Sequence, residues 1–169
     1  MRRLVLLRHA KAVRPTPGLA DCDRGLEPRG RVEAARAARL MADLELAPDL
    51  ALVSPAKRTR ETWSAMAETL PARAEQFDGA LYDAHTGTLL ASIAAHAEVE
   101  ALLVVAHNPG LKDVARALMG EGPHNLAAVD LLERGLPTSC ALVLSLDGAP
   151  TPGAARLIAF IAPERAGDE

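Results

Sequence analysis

Arg3-Leu4-Val5-Leu6-Leu7-Arg8-His9-Ala10-Lys11 is the stretch from which the fold is read. Four consecutive aliphatic residues bounded by charge suit a strand buried on both faces, as in a parallel sheet covered by helices. Ligands of such sheets bind beyond the carboxyl ends of the strands. The Arg8-His9 pair, standing where this run stops, therefore sits where a site would form.

Two more runs of the same kind follow. Leu50-Ala51-Leu52-Val53 stops at Ser54-Pro55, and Ala101-Leu102-Leu103-Val104-Val105-Ala106 stops at His107-Asn108-Pro109. Ser54 and Asn108 are read as N-caps, each with a proline at the first helical position. The first of these helices carries Lys57, Arg58, Arg60, Thr62 and Trp63 to about Leu70, and the second continues to Met119, where Gly120 stops it. Apolar residues at three- and four-residue spacing predict helices over 28–44 and 86–96. Ala74 to Phe77, Cys140 to Leu146 and Arg156 to Ile161 complete the strands, and a short helix is expected over 126–132. Alternating strands and helices followed by a strand pair give an α/β fold, a three-layer α/β/α sandwich with a mostly parallel central sheet. The domain is expected to occupy 1–162, with a polar tail at 163–169.

Composition limits the possible functions. The chain has 169 residues, enough for one domain with a sizeable core, and 49% of them are hydrophobic. Aromatics at 2% argue against a stacking platform for single-stranded nucleic acid. A net charge of −3 leaves no bulk attraction for polyanions, so any anion site has to be a local cluster. No apolar run is long enough for a signal peptide or a membrane span, so a cytoplasmic protein without membrane or nucleic-acid partners is expected. Cys22 and Cys140 lack metal-ligand spacing and read as reduced thiols, with a disulfide as the alternative.

The strand ends carry the chemistry. Arg8, His9, Arg58 and His107 bring guanidinium and imidazole groups toward one sheet edge, joined by the positive ends of two helices. Such a donor-rich cluster suits a tetrahedral dianion, because arginine offers paired donors to phosphate oxygens and keeps its charge. No serine or cysteine stands out as a nucleophile. A neutral imidazole can attack phosphorus directly, and His9 is the candidate, its other ring nitrogen held by a backbone carbonyl. Arg8, Arg58 and His107 would neutralise the phosphoryl oxygens. The blander readings are that His107 caps a helix and that Arg58 pairs with Glu61 or Thr62 on a wet face. His85, His96 and His124 read as surface residues, and no metal-ligand motif accompanies His9 or His107, so neither metal nor cofactor is expected.

Leu6 to Lys11, Ser54-Pro55-Ala56-Lys57-Arg58-Thr59-Arg60-Glu61-Thr62 and Val105 to Gly110 together resemble the three signatures of the histidine phosphatase superfamily. Asp23-Arg24 with Leu26 and Arg29-Gly30, Leu81-Tyr82 and Pro137-Thr138 are similar to its small SixA-like phosphohistidine phosphatase branch. The chain departs from the family in carrying Ala10 after the first histidine and Ala106 before the second, both small. The resemblance implies a phosphoglycerate-mutase-like fold and a metal-independent phosphatase that forms a covalent phosphohistidine on His9. It makes Arg8, Arg58 and His107 phosphate ligands and adds Asn108, Asp23 and Tyr82 as candidate substrate-binding residues. Asp83 is the nearest carboxylate to the position of the family's general acid. The substrate expected is phosphohistidine on a protein such as a histidine phosphotransfer domain. The alternatives are a small phosphate ester and a phosphate-recognition module without turnover.

Overall fold

The computed structural model describes residues 1–120 and 132–163. Six strands form one sheet: β1 (Arg3–Arg8), β2 (Leu50–Val53), β3 (Ala74–Phe77), β4 (Ala101–Ala106), β5 (Ala141–Leu146) and β6 (Ala155–Ile161). Their order is β3-β2-β4-β1-β5-β6. The first four run parallel, and β5 is antiparallel to both β1 and β6.

The all-aliphatic runs become central strands because both faces are covered. Leu4, Leu6, Leu52, Leu102, Val104, Leu142 and Leu144 pack on one side with α3 (Thr86–Ala94) and α4 (Gly110–Met119). Val5, Leu7, Val53, Leu103, Val105 and Val143 pack on the other with α1 (Pro28–Asp43) and α2 (Lys57–Ala67). Alternate side chains of each strand thus enter opposite cores, as strand geometry requires. No helix among the described residues is long and apolar enough to cross a membrane. The expected helix over 126–132, apart from Leu132, and the tail beyond Pro163 lie outside the described residues. Cys22 is exposed and Cys140 buried, and no disulfide joins them.

Two helix starts differ from the sequence reading. α2 begins at Lys57 after Ala56, and α4 at Gly110 after Pro109, neither with a side-chain cap. Ser54 Oγ instead lies 2.8 Å from His107 Nε2, and Asn108 Nδ2 donates to Leu136 O at 2.9 Å. Ser54 is thus taken by the residue that follows β4, and Asn108 by the loop before β5.

Candidate functional site

Register places the site. Arg8 of β1 is level with Ala106 of β4, and Val53 of β2 with Val105. His9, Ser54 and His107 each follow directly after those parallel strands, so they emerge on one edge of the sheet. The turn before antiparallel β5 reaches the same edge, where Leu136 O accepts from both Arg8 Nη1 (2.8 Å) and Asn108 Nδ2 (2.9 Å).

His9 is fixed from both sides. Its Nδ1 lies 2.8 Å from Ala10 O, so an Nδ1–H donates there and Nε2 keeps its lone pair. Ala10 N in turn donates to the buried Thr62 Oγ1 at 2.9 Å, and that hydroxyl donates to Arg58 O at 2.6 Å. The His9 and His107 rings stand 5.3 Å apart. Burial, opposed by the bond to Ala10 O and reinforced by Arg58, Arg8 and Arg24, lowers His9 to about 4. Burial and then Arg58 lower His107 to about 3. Both imidazoles are neutral at neutral pH.

Arg58 lies almost fully buried at 5% exposure, although it follows the first residue of its helix. It does not pair with Glu61, whose Oε2 accepts from Leu26 N (2.7 Å) and Arg31 Nη2 (2.9 Å). Its guanidinium turns to the loop before α1. Nη1 donates to Asp21 O at 2.7 Å, and Nη2 to Asp21 Oδ2 at 3.0 Å. The same Oδ2 accepts from Tyr82 OH at 2.9 Å, while Arg24 Nε donates to Oδ1 at 2.8 Å. The Asp21 carboxylate is thus a node joining two arginines and a tyrosine. Burial would raise its pKa, but the bonds from Arg24, Tyr82 and Arg58 bring it down to about 2. Tyr82 is raised, first by burial and then by its bond to Asp21, and meets the His107 ring edge-on at 5.7 Å.

Sequence reasoning named Asp23 and not Asp21; the structure puts Asp21 on Arg58. A short 3-10 turn over Asp21–Asp23 separates the two carboxylates, and Asp23 lines an adjoining groove instead. The available signal was the three-residue spacing from Asp21 to Arg24, which closes as an ion pair of 2.7 Å. Asp83 lines a cleft of about 320 Å³ together with Asp21, Arg58, Tyr82, His107 and Asn108. Its backbone is in the left-handed region, at φ 49°, a conformation that aspartate tolerates better than most residues. Arg8 opens toward a separate cleft with Lys11, Arg29 and Glu33. Of the remaining histidines, His85 precedes α3 and His96 Nδ1 bonds Ser92 O at 2.9 Å, while His124 lies outside the described residues.

Four buried polar atoms of this cluster have no partner among the described residues: Arg8 Nε, Arg58 Nε, His107 Nδ1 and Asn108 Oδ1. Buried donors are ordinarily paired, and a concentration of unpaired ones marks a place where a ligand's acceptors belong. Two guanidinium N–H groups beside an imidazole suit an oxyanion.

A family model described as histidine phosphatase superfamily (branch 1) matches residues 4–89. The fold resembles that of a protein from Agrobacterium tumefaciens, a proposed phosphohistidine phosphatase SixA, with 38% identity and a TM-score of 0.84. That match covers 96% of this chain and 98% of the other. A second proposed SixA, from Nakamurella multipartita, is 28% identical with a TM-score of 0.80, covering 96% of each chain. An uncharacterised Mycobacterium tuberculosis protein is 35% identical over 161 residues, which span 93% of this chain and 99% of its own. The three-layer, phosphoglycerate-mutase-like architecture and the SixA-like resemblance read from the motifs are borne out by these likenesses.

Proposed function

The chain belongs to the histidine phosphatase superfamily, and on that premise we propose that it removes phosphoryl groups from protein phosphohistidine through a covalent intermediate on His9. The observation that carries this reading is the fixed tautomer of His9. With Nδ1–H held by Ala10 O, Nε2 faces the cluster as an unprotonated nucleophile. In the first step Nε2 forms a bond to phosphorus as the bond to the leaving imidazole nitrogen breaks, and that imidazole departs carrying a proton on its other nitrogen. In the second step the oxygen of water bonds to phosphorus as the Nε2–P bond breaks, inorganic phosphate leaves with the protons of that water, and His9 returns to neutral imidazole with its hydrogen on Nδ1. The unpartnered N–H groups of Arg8 and Arg58 take phosphoryl oxygens in both steps. In this reading Ser54 Oγ donates to Nε2 of His107, 2.8 Å away, so that the hydrogen of that ring sits on Nδ1, which has no partner among the described residues, and adds a third donor.

The substrate class rests on likeness to the SixA proteins and on leaving-group chemistry. A carboxyl held at about 2, as that of Asp21 is, stays ionised and cannot protonate an alkoxide. An imidazole leaving group has no such need, which favours phosphohistidine over an alkyl phosphate. Asp83, in the same cleft, is the residue through which small phosphomonoesters would be served.

The test compares wild type and His9→Ala on a phosphohistidine peptide and on p-nitrophenyl phosphate, each with and without chelator. Chelator-resistant turnover of the peptide that vanishes in His9→Ala is expected. Turnover of the ester alone would move the substrate to phosphomonoesters. Phosphate binding without turnover of either would make the chain a recognition module.

A further inference from the structure

We propose that the groove between α2 and β3 is the docking surface for the polypeptide that bears the phosphoryl group, an inference that rests on the phosphatase reading above. The groove has a volume of about 1050 Å³, and Tyr82 lines both it and the 320 Å³ cleft beside His107. A chain entering the cleft with its phosphorylated side chain can therefore continue past Tyr82 into the groove.

Composition makes this surface unusual. The protein has one Trp, one Tyr and two Phe, and three of these four aromatic side chains, Trp63, Phe77 and Tyr82, line this one groove. Phe77 is 47% exposed, with the Arg60 guanidinium 5.2 Å from its ring centre. Aromatic residues and arginine are the types that carry most binding energy at protein interfaces. Phe77 also ends β3, one of the two edge strands of the sheet, all four of whose residues are exposed. Exposed edges are normally guarded, and here a large apolar side chain is left on one.

Charge defines the occupant further. Two of the groove's carboxylates are engaged internally: Glu75 Oε2 accepts from Trp63 Nε1 at 2.6 Å, and Glu61 holds Leu26 N and Arg31. Lys57 and Arg60 form no ion pair among the described residues, against one carboxylate, Asp23, that likewise forms none. The matching partner segment carries an apolar side chain for Phe77 and an acidic one for Lys57 and Arg60, close to its phosphohistidine.

The experiment uses a tryptophan-free, phosphohistidine-bearing phosphotransfer domain and p-nitrophenyl phosphate, with Phe77→Ala, Arg60→Glu and the double variant. Each single change should raise KM for the phosphoprotein about tenfold at unchanged kcat, a hot-spot effect, and leave the small ester's kinetics as in wild type. Trp63, the chain's one tryptophan, gives a direct readout. In a His9→Ala background, phosphoprotein should shift its emission, and the Phe77 and Arg60 variants should need about tenfold more to do so. Wild-type KM in the double variant, equal losses on both substrates, or a phosphoprotein that is not bound would overturn the docking surface. Failure of wild type to hydrolyse either substrate would instead sink the phosphatase reading, and with it the premise of this one.

Discussion

Replacing Asp21 tests whether the node it forms governs Arg58. Asp21→Ala removes the side-chain bonds from Arg24, Arg58 and Tyr82 and leaves Arg58 only the backbone contact to Asp21 O. The cost in stability is small, because the Asp21 side chain is 52% exposed and solvent screens it. Exposed ion pairs contribute about 0.2–1 kcal/mol each; here only the Asp21 side is exposed, and Arg58, at 6% side-chain exposure, keeps just its bond to Asp21 O, so losing two costs at least about 1 kcal/mol in total. In a protein of this size that lowers Tm by roughly 2–4 °C. The effect on turnover is larger. Arg58 Nη1 and Nη2 are the atoms Asp21 engages, while Nε is left unpartnered, so the carboxylate sets which edge of the guanidinium faces the cluster. Misplacement by about 1 Å at such a site costs about 100-fold. We expect kcat/KM on phosphohistidine to fall about 10- to 100-fold in Asp21→Ala and less in Asp21→Asn, which keeps an acceptor oxygen.

The separating readouts are inhibition and pH. Asp21 is an anion beside the oxyanion site, so its removal takes away a repulsive neighbour. Competitive inhibition by inorganic phosphate should be as strong as in wild type, or stronger, while kcat falls. The carboxyl is depressed in the folded state, so its stabilisation is present above pH 4 and is lost as pH falls toward 2. The kcat defect of Asp21→Asn should therefore be constant from pH 5 to 8. A full-activity Asp21→Ala enzyme would refute the positioning role. A defect confined to poor leaving groups would mean that Asp21 acts as an acid.

Two further outcomes follow from the same geometry. Because burial and the neighbouring arginines hold His9 at about 4, the acid limb of kcat/KM for the free enzyme should fall near pH 4. Its stability contribution has the matching sign: the unfolded chain takes up a proton first, so stability declines as pH drops from about 6.5 toward 4. An activity limb at 6.5 would contradict this environment. Gly30→Ala should destabilise by about 1–3 kcal/mol, seen as a lower Tm in calorimetry, because the added Cβ would stand 2.2 Å from Lys11 O. A wild-type Tm would show that the strand exit yields without cost.

Much of this was legible in the chain itself. β1, β2 and β4 are runs of aliphatic residues with both faces buried, a pattern that no solvent-facing element shares. Their parallel register then brings Arg8, His9 and His107 together without further information. The misread positions were polar residues with two competing uses. Ser54 and Asn108 fit helix caps locally, but tertiary partners at His107 and Leu136 took them. Asp21 and Asp23 look alike in a loop without periodicity, and only the 3-10 turn separates them. The groove was not legible at all, since it depends on where β3 lies beside α2.

The electrostatics of the cluster tie the proposed nucleophile to its proposed ligands. Arg8 and Arg58 lower the pKa of His9, so the groups proposed to draw in a dianion also keep the attacking nitrogen unprotonated before it arrives. Binding a dianion reverses the local field, since a nearby negative charge favours protonated imidazole. His107, held at about 3 chiefly by burial and by Arg58, is the ring placed to respond: with its hydrogen on Nδ1 in the proposed tautomer, a second proton is taken up at Nε2, where Ser54 Oγ turns from donor to acceptor. His9 is protected from the same response in part by geometry: its Nδ1 is already committed to Ala10 O, and Nε2 is spent in bonding to phosphorus. In the proposed mechanism the two imidazoles, 5.3 Å apart, thus take separable roles, nucleophile and donor. Asp21 moderates the field from the far side of Arg58, opposing the arginines' depression of His107. A site with these arginines but without that carboxylate would hold inorganic phosphate more tightly after the second step, and release of product would then limit turnover.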